Sequence, residues 1–157
     1  MKFRIEISEA LGEEELVLYC RELNESTLEL QRRLAGLAGA TGTLAVSRED
    51  VDYYLSHDEI LFFETDENRV AVHTDRQIYY TKQKLYELEE SLPSTFLRVS
   101  KSTILNTAKI RSIRKNLAGA SEVQFAHSLK SAYVSRNYYR LLMDKMAERA
   151  GRNMNEK

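Results

Sequence analysis

Arg136 follows Ser135 where an apolar stripe of Tyr138, Leu142 and Met146 begins, so SRNYYRLLMDKM puts a cation in the first turn of a serine-capped helix. The peptide dipole is positive there, which disfavours a guanidinium by roughly a few tenths of a kcal/mol or more. A cation at such a position points to an anionic or base-edge partner outside the chain. Lys101, in FLRVSKST, falls in the loop after the Leu97–Val99 run, from which an ammonium can project toward a groove edge or a phosphate, although by position alone it reads as a solvated surface lysine. Arg98, Ser100, Ser102, Ser135 and Tyr138 carry donors suited to phosphate oxygens, contacts that set register without reading sequence. Arg98 could instead pair with acidic residues of its own chain, and Tyr138 could belong to the core.

The charge distribution agrees with a polyanion as partner. Net charge is -1 over 157 residues, yet residues 96–157 hold 13 Lys and Arg against 4 Asp and Glu, a balance of +9. Residues 1–45 and 46–95 stand at -3 and -7. Enzyme chemistry is poorly provided for. His57, His73 and His127 are far apart and fall in different expected elements, and His57-Asp58-Glu59 reads as a solvated turn. Cys20 is the sole cysteine, so neither an internal disulfide nor a multi-cysteine zinc site is available. Gly36, Gly39 and Gly42 precede no Lys-Ser/Thr pair and read as a helix terminus and linker, not a phosphate loop. No catalytic residue, metal or cofactor is expected. The longest uncharged stretch, Leu34–Ser47, is well short of the ~20 apolar residues that span a bilayer. The N-terminus has no apolar signal-peptide region, so a reducing cytoplasm is the expected location.

The elements that would position these residues follow from periodicity. Phe3, Ile5 and Ile7 alternate with charges, and Leu16–Tyr19 follow an acidic turn, predicting two strands. Asn24 is placed to cap a helix with Leu23, Thr27, Leu30, Leu34 and Leu37 on one face. From Leu44 the period changes to two. Glu59–Glu64, Arg69–Thr74 and Gln77–Thr81 read as an antiparallel meander across the turns TDEN and DR. Thr81 is expected to cap a short helix with Leu85, Leu88 and Leu92 on one face, stopped by Pro93. Two short strands with a loop between them should follow in FLRVSKSTILNTAKIRSIRKN, then a hairpin of Glu122–Ala126 and Leu129–Val134. Tyr133, Tyr138 and Tyr139 suit base stacking by type, but strand and helix spacing assigns most of them to the core. Asn106 reads as a turn residue bonding its own backbone, not as a contact. Beyond Ala150 the chain is polar and should fray.

The order EILFFET, VAVHTDRQIYYTKQKLYELEESLP, FLRVSKSTILNTAKIRSI and LKSAYVSRNYYRLLMDKM resembles the LytTR family of bacterial DNA-binding domains. The resemblance covers about residues 46–147. Its most specific elements are Phe96, Arg98, Val99 and Ser102 with Asn106 and Ile110, followed by Val134, Ser135, Arg136 and Tyr138. It implies a mainly β, elongated antiparallel domain with short helices that places loops, not a recognition helix, into successive major grooves. It also implies base reading by Lys101 and Arg136, and by Asn68 and Arg69 in a third contact loop, with Arg98, Ser100, Ser102, Ser135 and Tyr138 on the DNA backbone. Many members carry His-Arg where this chain has Ser100-Lys101, and a lysine cannot make the two-pronged contact of arginine with guanine.

The resulting expectation is a small α+β extension over residues 1–45, a LytTR-like domain over 46–150 and a polar tail over 151–157. Likeness to small stand-alone LytTR regulators without a receiver domain implies a transcriptional regulator of double-stranded DNA. It further implies a homodimer on paired repeats and a small membrane-protein partner reached through the extension. The alternative is a protein-interaction module of the same fold that titrates a partner regulator or docks to a membrane protein.

Overall fold

The computed structural model describes residues 18–22, 24–37 and 42–155. The expected strand over Phe3–Ile7 lies outside them, as do Leu16, Val17 and Leu23; Leu18 and Tyr19 are exposed and in irregular backbone, not in a strand. Helix α1 (Glu25–Leu37) starts where Asn24 predicts, because Asn24 Oδ1 accepts from the backbone N–H of Thr27 at 3.0 Å. Among the described residues, the two buried clusters set out below draw no member from α1.

The β domain begins at Thr43, slightly before the expected boundary, with a hairpin that periodicity alone did not delimit: β1 (Thr43–Arg48) and β2 (Val51–Ser56). Its two turn residues, Glu49 and Asp50, take φ of 51° and 61°, the left-handed conformation that matches strand twist in a tight hairpin. The meander follows as β3 (Phe62–Asp66), β4 (Arg69–His73) and β5 (Ile78–Thr81). β3 starts later than the run EILFFE suggests. His57–Glu59 form a 3-10 turn in which the Glu59 carboxylate accepts the Ser56 N–H at 2.8 Å. Asp58 and Glu59 are exposed, as a solvated turn requires, while His57 is half-buried: its ring packs edge-on to Phe96 and against Gly42, where a Cβ would lie 2.7 Å from it.

Helix α2 (Leu85–Ser91) is capped by Lys84, not Thr81. Glu87 reaches back to the Lys84 N–H at 2.8 Å, while the Thr81 hydroxyl accepts from Gln83. Then come β6 (Phe96–Arg98), β7 (Thr103–Asn106), β8 (Ile110–Arg114), β9 (Ser121–Phe125), β10 (Ser131–Val134) and helix α3 (Arg136–Asn155). α3 runs on past Ala150, where polarity predicts a fraying tail, because Ala, Glu, Arg and Met in AERAGRNMN favour helix.

The strands form a seven-stranded antiparallel sheet in the order β2-β1-β5-β4-β3-β7-β6 and a three-stranded one, β10-β9-β8. No two helices are consecutive after α1, so the domain contains no helix-turn-helix among the described residues. Consecutive residues of β3 face opposite ways. Phe63 joins Leu44, Val46, Val72 and Ile104 in a cluster closed by Leu85 and Leu88 of α2. Phe62 joins Val123, Phe125, Val134 and Leu142, between the large sheet, the small sheet and α3. Phe62 stacks on Phe125 at 5.4 Å and on His73 at 4.1 Å. Asn106, 2% exposed, ties the segments together: its Nδ2 donates to the Ile60 carbonyl at 3.0 Å and its Oδ1 accepts from Ala108 at 3.1 Å.

Candidate nucleic-acid interface

Three turns that carry the expected contact residues are joined through main-chain hydrogen bonds. The loop Val99–Ser102 closes on itself, with the Val99 N–H donating to the Thr103 carbonyl at 3.0 Å and the Ser102 N–H to the Ser100 hydroxyl at 3.2 Å. From β3, the Thr65 N–H donates to the Ser102 carbonyl at 2.9 Å. From the β10–α3 junction, the Ser135 N–H donates to the Val99 carbonyl at 2.9 Å. One loop therefore anchors the strand leading to Asn68 and the residue preceding Arg136.

Lys101 is exposed on that loop and Arg136 is exposed at the start of α3; among the described residues neither has an ion-pair or side-chain hydrogen-bond partner. Asn68 and Arg69 are exposed at the tight β3–β4 turn, which Glu67 enters at φ 53°. The Arg69 guanidinium lies 3.6 Å above the Tyr80 ring, which directs it and leaves its edge available. Asn68, Arg69 and Lys101 line one cleft of about 250 Å³. Two residues that the sequence reading missed, Lys84 and the exposed Tyr86, share that cleft. The available signal was the basic pair Lys82 and Lys84 at the head of α2, which became informative only once the fold set it beside Lys101.

The residues expected on the DNA backbone divide. Ser102 is exposed and Ser100 and Ser135 are half-buried, with the Ser100 and Ser102 hydroxyls 3.3 Å apart. Tyr138 is half-buried and packs on the Phe62–Leu142 cluster, as does Tyr139, whereas Tyr133 is 59% exposed and not a core residue. Arg98 is half-buried and lines the same cleft, with its guanidinium held by its own chain. Its Nε donates to the Ser100 carbonyl at 2.7 Å, one terminal nitrogen to the Lys101 carbonyl at 2.5 Å, and the other meets Glu89 of α2 at 3.1 Å.

The ionisable groups with shifted equilibria lie elsewhere. Burial lowers the pKa of His73 to about 4, helped by the Lys130 cation and opposed by Asp66. Lys130 itself is shifted down by burial, and it donates to the Gln77 carbonyl at 2.8 Å, fastening the β9–β10 loop to the β4–β5 turn. His57 is likewise lowered by burial. Among the described residues no three His, Cys, Asp or Glu side chains gather as a metal site, and no helix is long and apolar enough to cross a membrane.

The family model described as the LytTr DNA-binding domain matches residues 50–147. An uncharacterized HTH-type transcriptional regulator of Staphylococcus aureus is 28% identical over 89 residues, which cover 57% of this chain and 60% of that protein. A counterpart from a bovine strain is 27% identical over 99 residues, covering 62% and 67%. The chain thus spans about three fifths of the length of the first of these relatives. A solved structure described as the LytTr DNA-binding domain of a "putative methyl-accepting/DNA response regulator" from Bacillus cereus superposes with a TM-score of 0.59 at 20% identity, covering 65% of this chain and 96% of that one. At that identity the likeness speaks to the fold.

Proposed function

The chain belongs to the LytTr DNA-binding domain family over residues 50–147, and from that premise we propose that it is a sequence-specific regulator of transcription acting on double-stranded DNA. Loops, not a helix, enter the major grooves. Arg136 and Lys101 read base edges, Asn68 and Arg69 form the third contact, and Ser100, Ser102 and Ser135 hold phosphates. Tyr138 contributes to the core and at most its hydroxyl to the backbone. The protein works as a homodimer on paired repeats in the cytoplasm and catalyses no reaction. Residues 1–45 serve assembly or regulation, with a small membrane protein as the partner they would meet.

The observation that carries this reading is the set of main-chain bonds joining the turns of Asn68, Lys101 and Arg136 through the Val99–Ser102 loop. A rigid spacing of contact residues is what base reading requires, because a side chain held loosely forfeits discrimination. Competition binding of variants on operator and scrambled duplexes tests it. Arg136→Ala should cost roughly 1–3 kcal/mol on the specific site, little on random DNA, and relax the preference at one base position. Lys101→Ala should show a smaller and less selective loss. With five or six phosphates neutralised, log affinity should fall against log salt with a slope of roughly -4 to -5. Equal loss of specific and random binding in Arg136→Ala would make Arg136 a phosphate contact and refute the base-reading assignment.

A further inference from the structure

We infer that Arg98 is a positioning residue for the Lys101 loop and not a DNA ligand, and that Glu89 of α2 holds it in that role. The bracing rests on the geometry alone; its consequence for recognition rests on the DNA-binding reading above.

The two carbonyls of Ser100 and Lys101 turn toward the same guanidinium, at 2.7 and 2.5 Å. Convergent carbonyl dipoles repel one another unless a cation lies between them, so the loop conformation depends on a positive charge at that point. The planar fork of arginine supplies it in two directions at once, which the single ammonium of lysine cannot reproduce. The third direction is taken by Glu89 at 3.1 Å, and the Arg98 side chain is only 21% exposed. These contacts occupy three of the five guanidinium N–H donors, so a phosphate drawn to Arg98 from the cleft would have to compete with Glu89 for a charge the loop carbonyls already hold. The loop that Arg98 braces is also the acceptor for Thr65 and Ser135, so its shape bears on the strand before Asn68 and on the residue before Arg136. Glu89 thereby takes part in recognition without itself meeting the DNA: it is the carboxylate that orients the arginine that shapes the loop.

The experiment uses the full chain, first without DNA. Amide hydrogen exchange is followed by NMR in wild type, Glu89→Gln and Arg98→Gln. Glu89 has an exposed carboxylate, so its substitution leaves the fold intact even if Arg98→Gln does not. Bracing predicts exchange faster by about tenfold at the amides of Ser102, Thr65 and Ser135 in Arg98→Gln, as expected for losing charge-assisted hydrogen bonds, and a smaller change in the same direction in Glu89→Gln. The amides of Leu105 and Val123, in the core strands, should keep their wild-type rates.

The second arm measures binding to operator and scrambled duplexes against salt. Bracing predicts that Glu89→Gln lowers the ratio of specific to scrambled affinity, and that Arg98→Gln does so without changing the salt slope. A phosphate ligand predicts the reverse: Glu89→Gln, which frees the arginine and removes a negative charge, tightens binding to both duplexes, and Arg98→Gln reduces the slope by about 0.9. Unchanged exchange in the DNA-free variants, or that reversed binding pattern, overturns the inference. Faster loop exchange together with a wild-type protein that cannot tell operator from scrambled DNA leaves the brace standing and removes the DNA-reading assignment instead.

Discussion

Asn106 offers a sharp separation between a residue that makes the fold and one that makes the contact, since it belongs to the motif most specific to the family yet is sealed inside the domain. Replacing it with alanine removes the donor to the Ile60 carbonyl and the acceptor for the Ala108 N–H, bonds of 3.0 and 3.1 Å. Ile60 is fully buried and Asn106 is 2% exposed, so water cannot replace the lost partner of the Ile60 carbonyl without opening the core. Ala108 is exposed, so water can take its N–H and one group is stranded; at about 1–3 kcal/mol for that group plus the lost bond, the expected loss is about 2–3 kcal/mol, a large share of a typical domain's roughly 5–15. In urea, with a slope of about 2 kcal/mol per molar, the midpoint should drop by about 1–2 M with the slope unchanged. Asn106→Asp refines the test. A carboxylate still accepts from Ala108 but faces the Ile60 carbonyl with an oxygen, so the folded state favours its protonated form and raises its pKa. The deficit relative to wild type should therefore be smallest below the ordinary aspartate range and grow as pH rises through and above it. At low temperature, where both variants remain folded, discrimination between operator and scrambled duplexes should match wild type. An Asn106→Ala protein that melts within about 0.5 kcal/mol of wild type, or one that is stable but has lost discrimination, would refute the structural assignment.

Two further outcomes are expected. Because His73 is held neutral in the fold, with its pKa lowered from 6.5 to about 4, the unfolded chain takes up a proton first as pH falls. Stability should be complete above about pH 6.5 and decline toward about pH 4, by at most about 3 kcal/mol at about 1.36 per unit and less after solvent screening; thermal melts of His73→Phe, which preserves the stack on Phe62, should show a flatter pH dependence. Removing residues 1–41 spares Thr43 and the whole of β1, so the shortened protein should melt near the full-length value and keep its operator preference while changing its oligomeric state in sedimentation; a truncated protein that assembles normally but no longer recognises the operator would show that the division of labour is wrong.

The parts of the fold legible in the sequence are those whose signal is local and repeated. The meander from Phe62 to Thr81 declares itself by period-two alternation, and α3 by Tyr138, Leu142 and Met146 spaced at four. The β1–β2 hairpin is harder to delimit because Glu49 and Asp50 adopt positive φ without the Asn-Gly pair that usually marks it. Glu59 to Leu61 read as strand because they are apolar-flanked, but the Glu59 side chain serves better as a cap in a 3-10 turn. For the proposed site, the family resemblance singled out Lys101 and Arg136, which are exposed in a loop and at the start of α3. Residue type could not locate Lys84 and Tyr86, which reach the cleft only through tertiary folding. Nor could it tell an arginine aimed at solvent from one clasped by Ser100, Lys101 and Glu89, since the donors are the same and only the direction differs.

Phe62 and Phe63 sit side by side on one strand and enter different clusters, 4% and 0% exposed. A domain arranged in this way has no seam along which it could come apart in halves: loosening β3 for the sake of one cluster withdraws a phenylalanine from the other. Unfolding is then a single cooperative event spanning both sheets, and the turns on Asn68, Lys101 and Arg136, all fastened to this strand or its neighbours, appear and vanish together. Partial occupancy of the proposed contact surface by half-folded molecules is correspondingly suppressed, so a destabilised variant should lose active molecules in number while each surviving one retains its full discrimination.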